Sequence, residues 1–152
     1  MLYLSSELER NIRTHGETAY PNECCGVLIG EVDNTGIVKT ARSTLTIDNA
    51  REDGEQYHRF LITPEDMLRA EQTARSMKLD VIGFYHSHPD HPSAPSGYDK
   101  DHALPFYSYV IVSVDRGKAQ VLTSWELTDD RTDFVQENIN MEGVSPQCGD
   151  FD

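Results

Sequence analysis

The sequence predicts an α/β fold in which a mixed central β-sheet is flanked by helices. Three observations carry that reading. Apolar runs the length of a strand recur at Cys24–Ile29, Leu79–Tyr85, Tyr107–Val114 and Ala119–Leu127. A helix start, Thr63-Pro64-Glu65-Asp66, stands ahead of the second run and makes a β-α-β unit. Asp33-Asn34-Thr35-Gly36 and Asp115-Arg116-Gly117-Lys118 read as hairpin turns, which add antiparallel pairs to the sheet.

Taken in order, Met1–Leu4 is a short strand. Ser6-x-x-Glu9 reads as a capping box that opens a helix. Leu8, Ile12, His15 and Ala19 lie along one face of it, Gly16 weakens its middle, and Tyr20-Pro21-Asn22 ends it. In the strand that follows, Glu23, Cys25 and Val27 share one face, and Cys24 and Leu28 the other. A carboxylate at the mouth of an apolar strand is placed where its pKa can rise toward neutrality. A solvated strand-end Glu is the commoner fate of such a residue. Cys25 reads as an inert buried thiol sooner than as a neighbour of a reactive centre.

After the Asp33–Gly36 turn, Ile37–Thr40 and Ser43–Ile47 supply a second hairpin strand with room for a bulge. Asp48–Gln56 reads as an exposed loop and Tyr57–Ile62 as a strand, with His58 structural or solvated. Thr63 caps the next helix, with Pro64 in its first turn and Met67, Ala70, Ala74 and Met77 as a core-facing stripe. The final segment, Asp133–Asn140, fits either an edge strand or a short helix. The expected domain spans 1–140, with 141–152 as a flexible tail.

The strand Leu79–Tyr85 runs into His86-Ser87-His88-Pro89. If it continues, His86 and His88 at i and i+2 point to one face, and two neutral imidazoles held so suit zinc. Three prolines within seven residues then make a stiff loop, Pro89–Pro95, leading to Ser96-Gly97-Tyr98-Asp99. Asp99 can supply a third, oxygen ligand, leaving the fourth position for water. Ser96-x-x-Asp99 is also a capping box, and one hydroxyl can cap a helix while facing a substrate. A bare His-x-His is weak evidence; the joint pattern is not. His91 lies in the loop, and His102, three residues after Asp99, falls on the same helical side, as a site neighbour or simply exposed.

His86-Ser87-His88-Pro89 with Ser96-x-x-Asp99, and upstream Glu23-Cys24-Cys25-Gly26 followed by aliphatics, resemble the signature of the JAMM (MPN+) zinc metalloproteases. The resemblance covers roughly residues 1 to 130. It implies the MPN (JAMM) domain with its cytidine-deaminase-like core. It implies one Zn2+ on His86, His88 and Asp99 with a catalytic water, Glu23 as general acid/base, and Ser96 as the donor to the oxyanion. The chain is most similar to the small bacterial members, which share the Tyr-Ser-Tyr-Val-Ile-Val-Ser-Val run and the Ser-Trp pair. That implies cleavage near the C-terminus of a ubiquitin-like, β-grasp sulfur-carrier protein, with release of cysteine or a short peptide after Gly-Gly. An isopeptidase or broader zinc peptidase is the alternative.

Composition bounds the rest. A net charge of -13 argues against a nucleic-acid partner. No apolar run approaches the ~20 residues of a membrane span. The acidic start lacks the basic region of a signal peptide, and three cysteines form no disulfide framework, so a cytoplasmic setting is expected. A homodimer is left open. A non-catalytic MPN interaction module would lack the metal ligands that this chain carries. A zinc nucleoside deaminase would need a Cys-x-x-Cys, which the sequence does not contain.

Overall fold

The computed structural model describes residues 1–48 and 62–141. Within them the order is β1 (Leu2–Tyr3), α1 (Ser6–Ala19), β2 (Cys25–Val32), β3 (Lys39–Ile47), α2 (Pro64–Ser76), β4 (Asp80–Pro89), α3 (Gly97–His102), β5 (Ser108–Asp115), β6 (Lys118–Leu127), β7 (Phe134–Glu137) and β8 (Ile139–Asn140). The strands form one mixed sheet in the order β7-β6-β5-β4-β2-β3-β1-β8. β4 pairs with β5 in parallel and with β2 antiparallel, so the strand that carries the histidines is central. All of His58, most of the expected loop Asp48–Gln56 and strand Tyr57–Ile62, and the tail beyond Met141 lie outside the described residues. No described helix is long and apolar enough to cross a membrane.

α1 and α2 cover opposite faces of the sheet. Ile12 and Gly16 of α1 are buried, in a cluster that includes Leu28, Ile82, Tyr85 and Val112. Ala70 and Ala74 of α2 pack on the other face with Val27, Val81 and Phe84. Gly16 is more than a weak point: a Cβ there would stand 3.0 Å from Val114 Cγ2 and 3.4 Å from Val112 Cγ1. Its absence lets α1 lie close on β5. A bulge at Arg42 shifts the β2–β3 register between Ile29 and Gly30, as the split pattern of that strand suggested. A second bulge leaves Ile82 without a partner on β2, which turns its side chain toward α1.

Two helix expectations need correcting. The N-cap of α1 is Ser5, whose Oγ accepts from the Leu8 N–H at 3.2 Å, and not Ser6. Ser5 has the extended backbone that a cap requires. Glu9 is drawn instead to Arg13 one turn on, at 2.7 Å. Met77 does not extend the core stripe of α2. It is the C-cap, and 43% of its surface is exposed. Thr63 is the N-cap, as expected, and Asp66 closes a capping box with it.

The ambiguous segment 133–140 resolves into two strands at opposite edges of the sheet. Only Asn138 separates β7 from β8. The sheet therefore curls until its two edges are neighbours. Leu2 N–H donates to the Asn138 carbonyl at 3.0 Å, and the Met1 ammonium sits 3.2 Å from Glu137. The buried ammonium of Lys39 on β3 reaches Glu126 on β6 across the same closure.

Candidate metal centre

The alternation of β4 decides which side chains meet. Tyr85 faces α1, so Phe84, His86 and His88 turn to the α2 side. Asp99 arrives from α3, whose start is built by the capping box. The Asp99 N–H donates to Ser96 Oγ at 3.1 Å, and the Ser96 N–H donates to Asp99 Oδ2 at 2.9 Å. The box holds the carboxylate facing the end of β4. The capping-box reading of Ser96-x-x-Asp99 is the observed one, and the cap leaves Asp99 beside the two histidines.

The three groups are close together. His86 Nε2 and His88 Nε2 are 3.2 Å apart. Asp99 sets Oδ1 3.3 Å from His86 Nε2 and Oδ2 3.2 Å from His88 Nε2. Ligand bonds of ~2.0–2.1 Å in a tetrahedral shell imply edges of about 3.3 Å, so the spacing fits zinc. His88 Nδ1 donates to the Pro92 carbonyl at 2.8 Å, which leaves its Nε2 lone pair facing the cluster. Among the described residues these three form the group able to hold a metal ion.

The electrostatics match. Burial pushes His86 down, toward the neutral ligand form. Burial also opposes protonation of His88, but the bond to Asp99 and the Pro92 carbonyl outweigh it and raise its value. Burial disfavours the Asp99 carboxylate; the two imidazoles and the Ser96 N–H overcome this and hold it well below the usual range. A buried anion between two imidazoles is the charge pattern a dication would complete.

Glu23 sits just before β2 and is only 7% exposed. It shares a cleft of about 300 Å³ with His88, His91, Pro92, Ala94 and Ser96. A second pocket of about 270 Å³ is lined by His86, Asp99 and the rings of Phe84, Tyr98, Tyr107 and Tyr109.

With this geometry in hand, residues 5–128 match the family model of prokaryotic homologs of the JAB domain. The chain belongs to this JAB family. A desampylase from Haloferax volcanii is 31% identical over 146 residues, covering 93% of this chain and 96% of its own. A solved structure from Desulfitobacterium hafniense aligns with TM-score 0.80 at 27% identity, over 93% of both chains. A JAB1/MPN domain protein from Archaeoglobus fulgidus aligns with TM-score 0.54 at 16% identity, over 91% of this chain and 98% of that one, a likeness of fold alone. The MPN architecture expected from the sequence is thus the observed one.

Within this JAB domain, the remaining candidates separate. Cys25 lies in register beside His86, but its thiol turns to the Ile47 carbonyl, and burial keeps it protonated. His102 stacks on Tyr98 with centroids 4.2 Å apart and lines the aromatic pocket beside Asp99. His91 lines the Glu23 cleft. Sequence reasoning missed Ser87, which ties β4 to the Glu23 segment, and Thr123 and Trp125, which hold the loop before Ser96. Their partners are 30 or more residues away, beyond the reach of any local pattern.

Proposed function

We propose that the chain is a zinc-dependent peptidase that hydrolyses an amide bond at or near the C-terminus of a ubiquitin-like, sulfur-carrier protein, releasing cysteine or a short peptide after Gly-Gly. The observation that carries this is the convergence of His86, His88 and Asp99 at tetrahedral-edge spacing beside a cleft lined by buried Glu23 and by Ser96. Kinship with a desampylase favours a hydrolase acting on ubiquitin-like proteins, and equally favours the second reading, an isopeptidase on a ubiquitin-like conjugate.

Zinc held by His86, His88 and Asp99 would supply Lewis acidity and make a water nucleophilic near neutral pH. Glu23 takes the proton of the attacking water and returns it to the leaving amine. Ser96 spends a lone pair on the Asp99 N–H, so its own O–H is left to donate to the oxygen that gains charge. One such donor is worth on the order of 10²–10³ in rate. The helix start thus orients a ligand and an oxyanion donor with one hydrogen-bonded unit.

Glu23→Gln tests the assignment. The variant should bind one zinc per chain as wild type does and lose nearly all turnover. Full turnover in that variant would refute Glu23 as the acid/base.

A further inference from the structure

The loop between His88 and Ser96 is tied down along its length. Asp90 stands at φ +58, and its carboxylate accepts from Tyr20 Oη at 2.7 Å and the Arg116 N–H at 2.8 Å. The His91 carbonyl accepts from Ser113 Oγ at 2.7 Å. The Pro92 carbonyl takes the His88 bond, and the Ser93 carbonyl accepts from Thr123 Oγ1 at 2.6 Å and Trp125 Nε1 at 3.2 Å. Residues 90 to 93 are each anchored, to the end of α1 and to β4, β5 and β6.

The outcome is a fixed His91. Its backbone is pinned on both sides, while its imidazole makes no hydrogen bond to any described residue and lies exposed on the wall of the Glu23 cleft. Glu23 protonates the leaving amine in the peptidase reading, so the leaving group occupies the cleft that Glu23 lines and not the aromatic pocket that it does not line. A residue released from a chain end carries an α-carboxylate into a space already bearing the Glu23 carboxyl. It needs an N–H donor there. His88 is engaged with Pro92 and Asp99, Ser96 serves the scissile oxygen, and Pro92 and Ala94 have no side-chain donor. His91 is the lining residue with a donor to spare. The cleft's volume, about 300 Å³, is at the small end for ligand sites and suits a leaving group of one or two residues.

We propose that His91 binds the terminal carboxylate of a short leaving group, and so biases the enzyme toward releasing C-terminal residues over severing protein-to-protein isopeptide bonds. This rests on the peptidase reading. An isopeptide leaving group presents a lysine side chain and no carboxylate at that distance.

The test is a two-by-two comparison of wild type and His91→Ala on a ubiquitin-like carrier ending in Gly-Gly-Cys, prepared as the free acid and as the C-terminal amide. His91 is exposed, so the variant is expected to fold, and bound zinc and thermal midpoint are checked alongside. Amidation should cost wild type about 10-fold or more in kcat/KM, as expected for a lost hydrogen bond to a charged group, and cost His91→Ala far less. The loss should fall on KM more than on kcat, and His91→Gln, which keeps an N–H donor, should recover part of it. An equal cost of amidation in both enzymes overturns the role of His91 while leaving the peptidase reading intact. Failure of zinc-loaded wild type to cut either form overturns both.

Discussion

Ser87 and Cys24 clasp each other across the two strands that deliver the site. The Cys24 N–H donates to Ser87 Oγ at 2.8 Å, and the Ser87 N–H donates to the Cys24 carbonyl at 3.2 Å. Ser87 stands between His86 and His88, and Glu23 directly precedes Cys24. The clasp therefore fixes the proposed acid/base relative to the proposed metal ligands. Ser87→Ala leaves a buried N–H without its acceptor, which should cost about 1–3 kcal/mol in urea unfolding. Turnover should fall while zinc affinity stays close to wild type. Unchanged turnover at unchanged stability would count against the clasp.

Glycine positions near the site should diverge sharply. A Cβ on Gly26 would stand 2.1 Å from the Tyr85 ring, which is 1% exposed and held by His15 Nδ1 at 2.7 Å. Gly26→Ala should destabilise by about 1–3 kcal/mol or more, because the ring has nowhere to retreat. At Gly97, in the first turn of α3, nothing lies within 4 Å of the added Cβ. Gly97→Ala should be neutral or stabilising by up to about 1 kcal/mol. Thermal midpoints of the two variants check the contrast.

The closure of the sheet depends on a buried charge. Lys39 is 1% exposed, and its ammonium is matched by Glu126 and lies 5.3 Å from the centroid of the Phe106 ring. Glu126→Ala would strand that ammonium, and because the Glu126 carboxylate is itself 38% exposed the loss should be about 1–3 kcal/mol. Adding Lys39→Met to it should restore much of the stability, since a well-packed apolar pair avoids the desolvation. A double variant no better than Glu126→Ala would show that the closure needs the ion pair itself.

Alkaline pH should weaken the fold through its cysteines. Burial pushes the Cys24 thiol up to about 11, although the Ser87 hydroxyl partly opposes this. An unfolded thiol ionises near ~8.5. Between those values the unfolded chain has released a proton that the fold retains, so stability falls as pH rises. The contribution is fully present below ~8.5 and is lost as pH passes through the folded value, a change on the order of 3 kcal/mol. Urea melts across this range should show the decline, and Cys24→Ala should lessen it, leaving the part that the buried Cys25 thiol contributes in the same direction. Mapped alkylation at pH 8 should leave Cys24 and Cys25 unmodified in the native protein, and rapid labelling of either would contradict their burial.

What the sequence made legible was local. Alternation along a strand puts His86 and His88 on one face, and capping residues mark Thr63 and Ser96 as helix starts, Thr63 with Pro64 after it and Ser96 with Asp99 three residues on. These features follow from a few neighbouring residues, and the structure shows each of them. The rest depends on distant partners. Nothing near Gly16 announces that Val112 and Val114 pass beneath it. Nothing in 133–140 says that its two halves add to opposite edges of a curled sheet. Nothing near Lys39 announces that Glu126, far along the chain, comes round to meet it. Ser5 and Ser6 are equivalent as caps by composition, and backbone conformation chooses between them.

The most direct measurement is mass spectrometry of a ubiquitin-like carrier ending in Gly-Gly-Cys, incubated with the zinc-loaded enzyme and in parallel with Asp99→Ala. The account predicts loss of the residues after Gly-Gly with wild type, and an intact carrier with the variant, which should retain little zinc. An intact carrier with wild type holding one zinc per chain would contradict the account.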